Sequence, residues 1–325
     1  MKLPRRKFLR LAGSAAMFPV ASRVARGQGY PNRPVRILVG FAAGGASDIV
    51  ARLLAQQLSE RLGQTFIVEN RTGAGTNIAT EAAVRATPDG YTLLLVTHTN
   101  AINATLYASL RFDFIRDIAP VARIGRVAEV MLVNPSVPAK SINEFIAYAK
   151  ANPSKINFAS AGNGSLTQVA GALFDLLAGT EMVHIPYRGE APGVTGLLAG
   201  EVQLMFPSLA VSMAHISAGT LRPLGVTTAT AIDALPGVPT VAQFVPGFEV
   251  TAWHGIGAPR DTPADIVDKL NRAASAALAD PDMKKRLADV LYEPVPMTSA
   301  DFGQFIADEI EKWGKVVRAA HIQPV

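Results

Sequence analysis

The chain has no cysteine, which excludes disulfides, thiolate nucleophiles and cysteine-ligated metals together. It has no apolar run of the roughly 20 residues that a membrane-spanning helix requires. Its five histidines, His98, His184, His215, His254 and His321, keep neither HxxxH nor HExxH spacing, so no metal ligand set is expected. No serine sits in a GxSxG frame, no GxGxxG is present, and no glycine-rich loop ends in GK[ST]. Nucleophile elbows, dinucleotide folds and P-loops therefore lose their sequence support. No paired-carboxylate frame stands out, so no catalytic residue, metal or cofactor is expected.

The charge of one sign is missing where it would matter most. The formal net charge is +5 and the pI about 9.5. Yet seven basic residues (Lys2, Arg5, Arg6, Lys7, Arg10, Arg23 and Arg26) and no acidic ones precede Tyr30. Removing those seven from 31 Lys and Arg leaves 24 against 26 Asp and Glu, a net of −2. The body has no electrostatic footprint for nucleic acid, which is excluded as a partner.

That basic segment has the three parts of an export signal. PRRKFLR supplies the charged end, with Arg5-Arg6 before Phe8-Leu9 in a twin-arginine pattern. LAGSAAMFPVA (11–21) is the apolar stretch, too short to span a bilayer. Gly27 and Gly29 are small enough for a signal peptidase. The expected leader is 1–29, cleaved near Gly29, and the mature protein is expected to be periplasmic.

At 325 residues and 49% hydrophobic, the chain can bury two cores without staples. Apolar β-rich runs alternate with helical patterns, which predicts parallel α/β sheets. VRILVGF is a strand buried on both faces. DIVARLLAQQLSERLG is a helix, with Ile49, Val50, Leu53, Leu54, Leu58 and Leu62 on one side and Gly63 at its end. TFIVENR is a strand, ATEAAVRATP a helix closed before Pro88, and YTLLLVT a strand. The character shifts after Ile124. RVAEVMLVNPS is a strand entering a second unit, followed by the helix INEFIAYAKAN, the strand INFASAG and the helical TQVAGALFDLLAG. After the proline-rich LPGVPTVAQFVPGF, the strand VTAWHGIGAP returns, followed by helices ADIVDKLNRAASAALA and ADFGQFIADEIEKWGKVVRAA. Return to the first unit predicts domain one over 30–126 and 249–325, and domain two over 127–248. Two crossings would then enclose a cleft.

In open α/β sheets ligands collect beyond the carboxyl ends of strands, and these ends are small or polar here. The first loop, Ala42-Ala43-Gly44-Gly45-Ala46-Ser47-Asp48, can offer helix N-terminal N–H groups to an anion. Asp48 already offsets the helix dipole there and would repel a dianionic phosphate, so a monovalent carboxylate fits better. A tight turn with a capped helix is the structural alternative, of about equal weight. The loop Ser160-Ala161-Gly162-Asn163-Gly164-Ser165-Leu166-Thr167 carries more donors without formal charge and is the stronger candidate. Thr97 and Asn100 divide evenly between ligand contact and turn capping. Arg188 could meet a ligand carboxylate or pair locally with Glu190. His184, within a strand, reads as a satisfied core residue. Trp253 reads as core.

Taken together, the chain resembles the Bug receptors, the TctC-type extracytoplasmic solute-binding proteins of tripartite tricarboxylate transport systems. The marks run in order: YPNRPVRILVGFAAGGASDIVARLLA, VENRTGAGTNIAT, PDGYTLLL, INATLY, FDFIRDIAPVARIG, SAGNGSLTQVAGALF, HIPYRGEAPGVTGLLAGEVQLMF, LPGVPTVAQFVPGFE and EIEKWGKVV. The resemblance implies a two-domain periplasmic-binding-protein fold of type II, closing like a flytrap on a small carboxylate. It implies ligand contacts from Phe41 through Asp48 (Ala43, Gly45, Ala46 and Ser47 among them), from Ser160 through Thr167 and from the Thr97–Asn100 region. It also implies a membrane permease of a tripartite tricarboxylate-type transporter as partner; a monomer is expected. The chain departs from the family at Ala42-Ala43 for prolines, Pro207-Ser208 for an Asp or Asn, Gln168 for a histidine and Arg188 for a lysine. An exported hydrolase and a receptor for a sensor kinase are the competing functions.

Overall fold

The computed structural model describes residues 29–324, so all of the expected leader but Gly29 lies outside the described residues. β1 (Val35–Val39) feeds α1 (Ala46–Leu62), and β2 (Phe66–Asn70) is followed by a 3-10 turn (Ala74–Thr76) and α2 (Asn77–Val84). β3 (Thr92–Thr97) runs directly into α3 (His98–Leu106), and α4 (Phe114–Asp117) leads to the long β4 (Ile118–Ala128). The next unit contains β5 (Val130–Val133), α5 (Ile142–Ala151), β6 (Asn157–Ser160), α6 (Leu166–Ala178), β7 (Val183–Pro186), α7 (Glu190–Ala199), β8 (Leu204–Met205), α8 (Leu209–Ser217) and β9 (Arg222–Val226). The chain closes with β10 (Thr251–Pro259), α9 (Ala264–Ala279), α10 (Pro281–Ala288), β11 (Glu293–Pro294) and α11 (Ser299–Ala319).

These strands form two sheets. One has the order β11-β4-β10-β3-β1-β2, the other β7-β6-β8-β5-β9. β1 pairs in parallel with both β2 and β3, and its Val35, Ile37, Leu38 and Val39 are buried, as a strand covered on both faces demands. The expectation of wholly parallel sheets needs correction. β10 re-enters the first sheet from the second and lies antiparallel between β3 and β4. In the second sheet β5 is antiparallel to β8 and β9.

The two crossings lie side by side, Thr251 opposite Ala128. RVAEVMLVNPS is two strands rather than one: β4 ends at Ala128, Glu129 stands alone, and β5 begins at Val130. Thr227, fully buried, joins the crossings. Its Oγ1 lies 2.8 Å from the Glu129 carbonyl and 2.6 Å from that of Val250, and accepts the Glu129 N–H at 3.1 Å.

The helices bury the stripes their sequences prescribe. α9 buries Leu270, Ala273, Ala274, Ala277 and Leu278, one face at the 3.6-residue period. α10 starts on Pro281 with Asp280 as its cap, where a missing N–H costs nothing. α11 buries Phe302, Ile306, Trp313, Val316 and Val317 and packs on α3, β4 and also α6. The last helix thus touches both units. In the second, Phe174, Phe206 and Phe248 form a buried aromatic cluster with centroids 5.5–5.9 Å apart.

Candidate functional site

A cavity of about 450 Å³ lies between the two sheets, where α3 of the first unit faces the start of α6 in the second. Of the residues expected as ligand contacts, Phe41, Asn163, Gly164, Ser165 and Thr167 line it. A second concavity of about 410 Å³ lies between α6 and the end of α11, with Gln168 and His184 in its wall.

The first loop contributes less side chain than its sequence suggested. Gly44 has φ +81°, open to glycine at no steric cost. Asp48 is 2% exposed and fully engaged within the loop. Its Oδ2 accepts the Gly44 N–H at 2.9 Å and Arg52 Nε at 2.8 Å, while Oδ1 accepts Asn70 Nδ2 at 2.9 Å. Asn70 Nδ2 also reaches the Phe41 carbonyl at 3.0 Å. The Arg52 hydrogen bond above all holds the Asp48 carboxyl down at about 2. Ser47 turns inward to His254, Oγ to Nε2 at 2.8 Å. Ala43, Gly45 and Ala46 are exposed but do not line the cavity. Gly45 caps α1 without a side-chain hydrogen bond, and the Asp48 carboxylate in the first turn offsets the helix dipole there.

Thr97 and Asn100 are buried as a capping box, not as cavity wall. Asn100 Oδ1 accepts the Thr97 N–H at 2.8 Å, and its Nδ2 donates to Thr80 Oγ1 at 2.9 Å. The box aims α3, whose Thr99 and Asn103 line the cavity with His98 and Leu106, joined by Tyr107 just past the helix end. Positions 99 and 103 are four apart, on one face of the helix. Asn103 Nδ2 holds the carbonyl of Gly75 and Asn77 Oδ1. Ala74, Gly75 and Thr76 are all left-handed, φ 46°, 57° and 76°, which is strain maintained at a cavity wall.

The second loop is a closed network. Ser165 caps α6 and accepts the Gln168 N–H at 3.3 Å, while its hydroxyl donates to the Gly162 carbonyl at 2.6 Å. Thr167 Oγ1 accepts the Ala161 N–H at 2.7 Å and lies 2.9 Å from Ser165 Oγ. Gln168 Oε1 accepts the Gly164 N–H at 2.7 Å. Ser160, fully buried, meets His184 Nε2 at 2.6 Å and, like Gly162, lies behind the wall. Arg188 is exposed and absent from the cavity. Its expected partner Glu190 instead accepts from Ser208, Oγ at 2.6 Å and N–H at 3.3 Å.

Sequence reasoning missed Glu129, Gly189 and Glu190 as wall residues. A single acid inside the apolar run RVAEVMLV was the available signal for Glu129, since buried acids are rare without a task. Burial first, and then the charge of Glu190, pushes the Glu129 carboxyl well above its ordinary range. Burial likewise raises Glu190 and pushes His98 down to about 4.

Among the described residues no cluster of His, Asp and Glu could hold a metal ion, and no helix is long and apolar enough to cross a membrane. The profile of a family described as "Tripartite tricarboxylate transporter family receptor" matches residues 50–322. BugT of Bordetella pertussis is 36% identical over 314 residues, covering 96% of this chain and 94% of that protein. Rpa4515 of R. palustris, solved with adipate, is 36% identical with a TM-score of 0.79, covering 91% of this chain and 100% of that one. MatC of Rhodopseudomonas palustris, solved with bound malate, is 32% identical with a TM-score of 0.74, covering 89% and 100%.

Proposed function

The chain belongs to the tripartite tricarboxylate transporter receptor family, and from that premise we propose that it is a periplasmic receptor for a small carboxylate. One observation carries the reading: the cavity lies between two sheets joined by two adjacent crossings, with the N-terminus of α6 in its wall. A carboxylate there would accept from the Leu166 and Thr167 N–H groups, which the Ser165 cap on Gln168 leaves free, and ligand contacts made to both units would stabilise the closed arrangement. The domains so joined are 30–126 with 249–325, and 127–248. The receptor acts as a monomer, and it delivers its ligand to the membrane permease of a tripartite tricarboxylate-type transporter. Export by the leader brings it to the periplasm.

The ligand is returned unchanged. Both Ser–His pairs lack the carboxylate that would orient a general base: His254 Nδ1 has no partner, and His184 Nδ1 meets Gln168 Nε2 at 3.2 Å. Thermal-shift titration with a library of small carboxylates, adipate and malate included, tests the reading. At least one compound should raise Tm with concentration and be recovered intact. Replacing both Ser165 and Thr167 by Ala should weaken that compound at least tenfold by loosening the loop. A library without a single binder, or turnover of the bound compound, would refute it.

A further inference from the structure

The charge lining the cavity is one-sided. Glu129 and Glu190 are its two acids, and among the described residues that line it there is neither lysine nor arginine. Glu129 is 1% exposed, and its Oε2 is buried without a hydrogen-bond partner. The two acids are held together through Ser208, the antiparallel bridge partner of Glu129, whose hydroxyl and N–H both go to Glu190. Ser208 thus serves one oxygen of Glu190, while Glu129, also in the cavity wall, keeps a buried oxygen without a donor.

A buried carboxyl with an open acceptor is costly unless something supplies a donor or a positive charge. Burial is the main reason that both carboxyls resist ionisation, and the charge of Glu190 adds to it at Glu129. A second anionic group arriving at this wall would raise the cost again. A cation would remove it and find a charge-assisted hydrogen bond waiting.

We propose that the ligand is zwitterionic: a carboxylate that also carries an ammonium group, with the ammonium held by Glu129 and Glu190 and the carboxylate at the start of α6. This inference rests on the carboxylate-receptor reading and specifies its ligand class. Glu129 is the selecting residue, fixed in place by the Thr227 contacts to its main chain.

Calorimetric titration of the full mature chain with matched pairs tests it: adipate against 6-aminohexanoate, malate against aspartate, and a wider library of diacids and amino acids. The wild-type protein should bind an amino-bearing compound at least tenfold more tightly than its diacid counterpart. The isosteric Glu129→Gln change should abolish that preference, chiefly by weakening the amino compound, and Glu190→Gln should reduce it. Circular dichroism checks that each variant is folded; a misfolded Glu129→Gln leaves Glu190→Gln to decide. Diacids binding more tightly than their amino partners would mark the acids as protonated donors and overturn the inference while sparing the receptor reading. A preference unchanged in the folded variants would also overturn it. Binding by no compound of either kind would overturn both.

Discussion

Trp253 donates its indole N–H to Oε2 of Glu309 at 2.7 Å, from the return strand β10 to the last helix α11. Trp313 donates to the same oxygen at 2.9 Å, and Lys312 pairs with the other oxygen. Both indoles are fully buried, so one carboxylate satisfies two donors that water cannot reach. Glu309→Ala should cost about 3 kcal/mol, because the donors lose their acceptor while still buried. Glu309→Gln keeps an acceptor oxygen and should cost about 1 kcal/mol. Urea midpoints at constant m-value give both numbers; equal losses for the two variants would contradict the assignment.

His254 and His98 lie with ring centroids 6.5 Å apart. Burial lowers His254 to about 3, with His98 adding to the effect, and lowers His98 to about 4, against 6.5 for either in the unfolded chain. The unfolded state therefore binds more protons below pH 6.5. Stability is fully present above that value and is lost as pH falls from about 6 towards 3. Near pH 5 unfolding should take up about two protons from this pair, a slope close to 2.7 kcal/mol per pH unit. His254→Gln should halve that slope. A Tm flat between pH 6.5 and pH 4.5 would show that the rings titrate freely.

Asp48 ties the first loop to β2, and its depressed pKa of about 2 carries the same sign. Its contribution is present above pH 3.8, the ordinary carboxyl value, and is lost as pH falls through 2. Arg52 is 52% exposed, and water screening leaves the pair worth about 1 kcal/mol. Asp48→Ala removes the acceptor for the Gly44 N–H and Asn70 as well, so about 2 kcal/mol should be lost at pH 7. Carboxylate affinity should fall too, since the loop carrying Phe41 would lose its anchor. Asp48→Asn should keep more affinity than Asp48→Ala.

The parts of this arrangement legible in sequence are those with a period or a punctuation mark. The 3.6-residue stripes of α9 and α11, that of α1 apart from the exposed Ile49, and the strand-turn-helix of residues 157–178 are written in apolar spacing, glycines and caps. The antiparallel insertion of β10 is not, because an apolar strand carries no sign of its direction. At the site, residues 160–167 announce donors, but only the fold shows which face of that loop meets the cavity. Asp48, Thr97, Asn100 and Ser160 have the chemistry of ligand contacts and are engaged by neighbouring backbone and side chains instead. Glu129 failed to register for the opposite reason: one acid at a strand break has no periodicity, and its meaning depends on Glu190, distant in sequence and adjacent in space.

Gly164 and Leu106 fix how closely the two units approach at the cavity. Gly164 has φ +75°, and a Cβ there would lie 2.4 Å from Leu106 Cδ2, across the gap from α3. Gly164→Ala therefore meets two penalties, left-handed backbone strain of about 1 kcal/mol and an overlap costing about 1–2 kcal/mol. The overlap belongs to the meeting of the units and the strain to the loop alone, so a second substitution can separate them. In a Leu106→Ala background the methyl has room, and Gly164→Ala should cost only the strain. Chemical denaturation of the four proteins in this cycle should give a coupling of about 1–2 kcal/mol in that direction. Small-angle scattering should show a larger radius of gyration for Gly164→Ala alone, restored by Leu106→Ala. Additive costs with an unchanged radius would mean that the two units are not held apart at this contact.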